Sequence, residues 1–181
     1  DLKASLEWKK SGQFMHQLGL ARATSFFPPS LSFGKDGLNT STAKPVNKTG
    51  KVRKFQLMLM ESHDLTTFTS GLFGDNPREV VSIPKGQFIE RFRASQFEAL
   101  MIGFGLTIRD WDFISTFFYS KSPNNMAHVK SDEVDKLLQR ARAAPKPADR
   151  IRLYSELLRK NEDECWYIPV THSVLVYGLS R

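Results

Sequence analysis

The chain has 181 residues, 40% of them hydrophobic and 25% charged, which is enough for a compact soluble fold with a real core. A net charge of +7 raises nucleic-acid binding as a function, since Lys and Arg neutralise phosphates. The basic residues are interleaved with acidic ones, as in Arg150, Arg152, Glu156, Arg159 and Lys160, so they read as a solvated helix face and no nucleic-acid partner is expected. The single cysteine, Cys165, excludes an intrachain disulfide and a cysteine metal cluster. His16, His63, His128 and His172 stand in no metal-binding spacing, so neither a metal nor a cofactor is expected. No apolar run is long enough to span a bilayer. Asp1-Leu2-Lys3 opens directly into a helical pattern, which reads as a mature or excised piece.

In chain order, residues 3–18 carry a loose helical stripe (Leu6, Phe14, Leu18), with Gly19 placed to end it. Phe26-Phe27-Pro28-Pro29 is extended, because each proline restricts its predecessor. Residues 34–50 are polar and rich in Gly, Ser, Thr and Asn, a surface loop. Residues 52–60 predict a strand, 64–73 a helix capped by Asp64, 80–83 a strand closed by Pro84, and 86–94 a helix. Phe97–Phe104 is a short, nearly continuous apolar run, as in a central strand buried on both faces.

A polar loop, residues 105–111, leads into the aromatic run Phe113–Tyr119, and Ser122-Pro123-Asn124-Asn125 is turn chemistry. Ser131 caps a helix with Val134, Leu137, Leu138 and Ala141 on its inner face. Pro145 and Pro147 separate it from a second helix with Ile151, Tyr154, Leu157 and Leu158 inside. Trp166–Val170 is extended and Val174–Tyr177 forms a last strand. Strands alternating with helices predict an α/β fold with a mixed sheet flanked by helices.

From Gly103 onward the order of motifs is specific. The sequence reads GFGLTIRDWDFISTFFYSKSPNNMAHVKSDEVDKLLQRARAA, then RIRLYSELL, then WYIPVTHSVLVYGLS. This series resembles extracytoplasmic solute-binding proteins of family 5, the oligopeptide, dipeptide and nickel binders of ABC transporters. LKASLEW, FMHQLGLARA and FFPPSL resemble more loosely the entry into the C-terminal lobe of that family. The resemblance implies a periplasmic-binding-protein-like (type II) lobe. Residues 1–181 would be one C-terminal lobe, with about 160–181 returning toward a missing N-terminal lobe.

It further implies a non-enzymatic function: capture of a peptide or similar small solute between two lobes, in the periplasm or at the cell surface, and delivery to an ABC permease. A ligand-sensing domain of a transcriptional regulator is the alternative on the same fold, and a basic nucleic-acid-binding domain is a third.

In the family, the loop after the buried strand faces the ligand and often reads Gly-Trp-x-x-Asp-Tyr-x-Asp-Pro. Gly103-Phe104 stands at Gly-Trp, Thr107 at the first Asp, Asp110 at the second, and Trp111 replaces the Pro. The first Asp pairs with a peptide's terminal ammonium in such binders. Thr107 removes that charge, so a neutral or anionic ligand end is expected.

The candidate ligand residues are Phe104, Thr107, Arg109, Asp110, Trp111 and Asn125. Each has a plain structural reading beside the functional one. Phe104 and Trp111 can be packing residues, Asp110 the cap of the run Asp112–Phe118, Arg109 an exposed loop cation, and Asn125 a turn residue. No catalytic residue is expected. Asp110 and Asp112 beside Trp111 resemble a glycosidase pair only in being two carboxylates, and nothing else supports that chemistry.

Overall fold

The computed structural model of the chain describes residues 20–23, 54–73, 78–105 and 110–173. These fall into two units: residues 20–22, 54–73, 78–104 and 171–173 in the first, residues 23, 105 and 110–170 in the second.

The first unit is built on β2 (Phe55–Met60), which lies between β3 (Arg78–Ile83) and β4 (Ala99–Leu100) and runs parallel to both. Leu57, Met58 and Leu59 are consecutive and all buried. Successive strand side chains point to opposite faces, so β2 is covered on both. Its register sets Met58 opposite Val81 and Leu100. Met58, Ile83 and Phe88 form a buried cluster, against which Val81, Phe92, Phe97 and Leu100 pack.

The expectation that Phe97–Phe104 is a central strand is corrected. β2 holds the centre, and β4 is two residues long and pairs with β2 alone among the described strands. Phe97 and Leu100 reach the core, and the Met101 amide still donates to Met58 O at 3.2 Å. Past that point the run turns outward: Ile102 is 37% exposed and Phe104 46%. A short apolar run has no periodicity from which to tell a buried strand from the flank of one.

Helix α1 (His63–Phe73) buries Phe68, Thr69, Leu72 and Phe73. Its cap is Ser62 and not the expected Asp64: Ser62 Oγ accepts from the Leu65 amide at 3.3 Å. Asp64 lies two residues past that cap, in the first turn, where its charge still favours the helix N-terminus. Pro84 precedes α2 (Lys85–Arg93), whose Phe88 and Phe92 rings stack at 6.3 Å. A separate antiparallel pair joins β1 (Leu20–Arg22) to β5 (Thr171–Ser173), with Leu20 opposite Ser173. The helix expected over 3–18, the loop over 34–50 and the strand Val174–Tyr177 lie outside the described residues.

The second unit is helical. A 3-10 turn (Trp111–Ile114) runs into the single turn α3 (Ser115–Phe118), and the long helices α4 (Asp132–Ala143) and α5 (Pro147–Glu164) pack on each other. Ser131 Oγ accepts from the Val134 amide at 3.4 Å, and Val134, Leu137, Leu138 and Ala141 are all buried, as their spacing predicts. Proline is tolerated in the first turn of α5, where its missing N–H has no partner to lose. Tyr154, Leu157 and Leu158 are inside as expected; Leu153 takes the place expected of Ile151, which is half-buried.

Asn161, 3% exposed, ties the following segment to α5. Its amide donates to Tyr167 O and accepts from the Tyr167 N–H, both at 2.9 Å. Phe118 meets Tyr167 edge-on at 5.0 Å and Trp166 at 6.1 Å. The α/β class expected from the alternation of elements is observed: a parallel sheet with helices, an antiparallel pair, and a helical unit.

Candidate functional site

The candidate residues other than Asn125 fall along the chain between the end of β4 and the start of the 3-10 turn. In the first unit, Phe104 follows β4 and presents an aromatic face 46% exposed, between Gly103 and Gly105, each with open space where a Cβ would stand. Thr107 and Arg109 lie outside the described residues.

In the second unit, Asp110 has extended backbone, and its Oδ1 accepts from the Asp112 amide at 2.7 Å, capping the 3-10 turn. The capping reading of Asp110 is observed. The same oxygen accepts from Arg150 Nη2 of α5 at 3.0 Å. Trp111 is 8% exposed, so most of its ring serves packing.

Asp112 is the centre of a second set of bonds. Its Oδ1 accepts from Ser115 Oγ at 2.7 Å, from Arg142 Nε of α4 at 2.8 Å and from Tyr154 Oη of α5 at 3.0 Å. Partial burial opposes the charged form. The bonds from Arg142, Ser115 and Tyr154, together with the Arg142 charge, outweigh it and hold the carboxyl below its ordinary value. Burial, then the adjacent Asp112 charge and the bond to it, push the Tyr154 phenol up to about 12. The Arg142 guanidinium is raised in turn by its bond to Asp112.

Asn125, 8% exposed, closes the loop between α3 and α4. Its Nδ2 donates to Tyr119 O at 3.2 Å and to Val129 O at 2.8 Å, and its Oδ1 accepts from the Val129 amide at 3.0 Å. Three of the four bonds an asparagine amide readily makes are thus within the protein.

Both carboxylates are bonded to guanidinium groups, and Tyr154 stays protonated at neutral pH. Among the described residues no group of His, Cys, Asp and Glu converges in a way that could hold a metal ion. Sequence reasoning missed Arg142, Arg150 and Tyr154 as partners of the loop. They stand 30 to 42 residues from the carboxylates they bind, on two different helices, and no local spacing signals such a pair.

The Asp112 pairing has a pH consequence. An unfolded aspartate takes up its proton near pH 3.9, while the folded one does so lower, so on acidification the unfolded chain binds the proton first. The stability due to this carboxylate is present above the unfolded value and is lost as pH falls through the folded one. Urea midpoints measured below about pH 5 are expected to fall less steeply in Asp112→Asn than in the wild type. Parallel profiles would show that the carboxylate is not coupled to folding.

No known family model matches the sequence, and no curated protein matches it. Solved structures do match. The oligopeptide ABC transporter from Bacillus anthracis str. Ames (substrate-binding domain) superimposes with a TM-score of 0.76 at 12% identity, over 94% of this chain and 39% of that one. The periplasmic binding protein DppA from Helicobacter pylori, in complex with the peptide STSA, gives 0.70 at 17% identity, over 94% and 37%.

This chain has the fold of periplasmic solute-binding proteins. AgaA from A. tumefaciens R10, in complex with agropinic acid, gives 0.73 at 11% identity, over 94% and 39%, so the same fold is seen with a ligand that is not described as a peptide. The chain spans about two fifths of the length of these three proteins, 37–39%. The fold agrees with the group of proteins that the motifs after Gly103 resemble.

Proposed function

We propose that the chain is part of the substrate-binding component of an ABC importer, with no enzymatic role of its own. It would capture a peptide or similar small solute in a cleft between two lobes, outside the cytoplasm, and deliver it to a membrane permease. The observation that carries this reading is the match of 94% of the chain to solved solute-binding proteins. The limited share of those proteins that it spans supports a chain that supplies one wall of a cleft, with the other wall coming from an N-terminal lobe. Closure of two walls is the mechanism such an arrangement serves, because a solute is held only when both sides exclude water.

The wall on this side is the segment Phe104–Trp111. Phe104 offers an exposed flat apolar face, and ligands in open α/β folds collect at the carboxyl ends of parallel strands, which is where β4 delivers it. Thr107 and Arg109 add directional polar groups. Asp110 and Trp111 are anchored within the helical unit, one by its pair with Arg150 and the other by burial, and Asn125 acts by holding the loop that follows α3.

The test is calorimetry on the full-length gene product that contains this segment, with Ser-Thr-Ser-Ala as the first probe. Phe104→Ala is expected to weaken binding by roughly 1–2 kcal/mol, since an exposed ring loses its contact with the solute and little folding energy is at stake. Trp111→Ala should weaken it by roughly 1–3 kcal/mol, but it also removes packing and must be scored against a stability measurement. Unchanged affinity in Phe104→Ala with the fold intact would move the site elsewhere.

A further inference from the structure

The large apolar side chains most exposed among the described residues are Met60, Ile89, Ile102 and Phe104, and all four belong to the first unit. Met60 ends β2, and Ile102 and Phe104 stand just past the end of β4, so three of the four gather at the carboxyl ends of parallel strands. We infer that Met60 and Ile102 form, beside Phe104, a subsite for a large apolar side chain of the solute. The inference rests on the reading of Phe104 as part of a solute-facing wall.

Strand register brings the first two together. Met58 of β2 lies opposite Val81 and Leu100, and Met60 opposite Ile83. The Met101 amide donates to Met58 O, so the chain follows β2 past the end of β4 and Ile102 reaches the level of Met60. Side chains two residues apart on a strand share a face. Met60 and Ile102 therefore lie on the face where Met58, Ile83 and Leu100 meet Phe88 and Phe92 of α2. Cover is nearly complete over Met58 and Ile83, at 1% and 7% exposure, and stops short at Met60 and Ile102, at 39% and 37%. The subsite is the open end of the apolar layer between sheet and helix.

Its size decides what fits. Side chains of about 150–250 Å² each, exposed to this degree, leave on the order of 200–300 Å² of apolar surface. Each partner in a stable protein interface buries about 800 Å², so the patch is too small for one and matches a single group the size of leucine or phenylalanine. Its place at the carboxyl ends of parallel strands is where solutes collect in open α/β folds. The flexible thioether of Met60 lets the fit adapt to different apolar shapes. A polar side chain set against these three residues would lose water and gain no strong hydrogen bond from their side chains, which disfavours it.

The test uses calorimetry on the full-length protein to compare Ser-Thr-Ser-Ala with four analogues, each carrying leucine at one position. One analogue is expected to bind at least about 10-fold more tightly than the parent. Met60→Gln and Ile102→Thr keep much of the side-chain size and add polarity, and each should cut that leucine-to-parent ratio several-fold. No gain from any leucine analogue, or a gain that both variants leave intact, would overturn the inference. So would a lowered urea midpoint in both variants with the ratio intact, since the rest of the protein and not the solute would then cover the patch.

Phe104→Ala separates the two readings. If it weakens binding of Ser-Thr-Ser-Ala while no leucine analogue gains, the wall stands and the subsite falls. If Phe104→Ala, Met60→Gln and Ile102→Thr all leave every affinity unchanged, both fall. Failure of all five peptides to bind overturns both readings for peptide solutes.

Discussion

Phe118→Ala is expected to destabilise the helical unit by roughly 3–5 kcal/mol, the usual cost of emptying a buried aromatic site. Phe118 is fully buried, at 0% exposure, and its ring is edge-on to Tyr167 and to Trp166. Those two rings belong to the segment that Asn161 holds onto α5, so the cavity would open where α3 meets the chain leaving α5. Such a site collapses poorly, because Tyr167 is also bonded to the backbone: its Oη donates to Phe117 O at 3.0 Å and accepts from the Ala127 amide at 3.1 Å. Urea denaturation followed by circular dichroism measures the loss, and Phe104→Ala on the same chain is the control expected to change little. A loss below about 1 kcal/mol for Phe118→Ala would mean that the aromatic cluster is not a folding core.

Asn125→Ala is the second large effect, roughly 2–4 kcal/mol. The substitution leaves the Val129 amide and carbonyl without the partner described above, while the Tyr119 carbonyl keeps its bond from the Ser122 amide at 2.9 Å, in a place where the side chain is 8% exposed. A buried polar group left without a bond costs more than the bond itself contributes, which is why one small side chain carries so much. Asn125→Asp keeps the acceptor and loses both donors, and should fall between the wild type and alanine. If alanine and aspartate variants unfold at the wild-type midpoint, water replaces the amide without loss.

What the sequence revealed depended on how local the signal was. The first long helix of the second unit was legible because cap, first-turn acids and apolar stripe agree: Ser131, Asp132, Glu133, then Val134 through Ala141. The class followed from the alternation of elements. The position of β4 did not, since an apolar run of eight residues looks the same in the middle of a sheet as at its flank. Ser62 and Asp64 are both good caps, and choosing between them needs the backbone.

The site divides in the same way. Asp110 as a cap was readable from its place before an apolar run. Its pairing with Arg150, and that of Asp112 with Arg142 and Tyr154, was not, because the fold and not the spacing brings them together.

The pairing of β1 with β5 bears on the order of events during synthesis. Leu20–Arg22 leave the ribosome well before their partners Thr171–Ser173, with most of the chain described here made in between. Until then the backbone groups of Leu20–Arg22 that face β5 must be satisfied by water or by another strand. The parallel strands β2, β3 and β4 lie within a span that can assemble without waiting for Thr171–Ser173. Closure of the β1–β5 ribbon therefore waits for Thr171–Ser173 and has a long loop to close, and a nascent chain halted before Thr171 would expose a strand edge ready to pair wrongly.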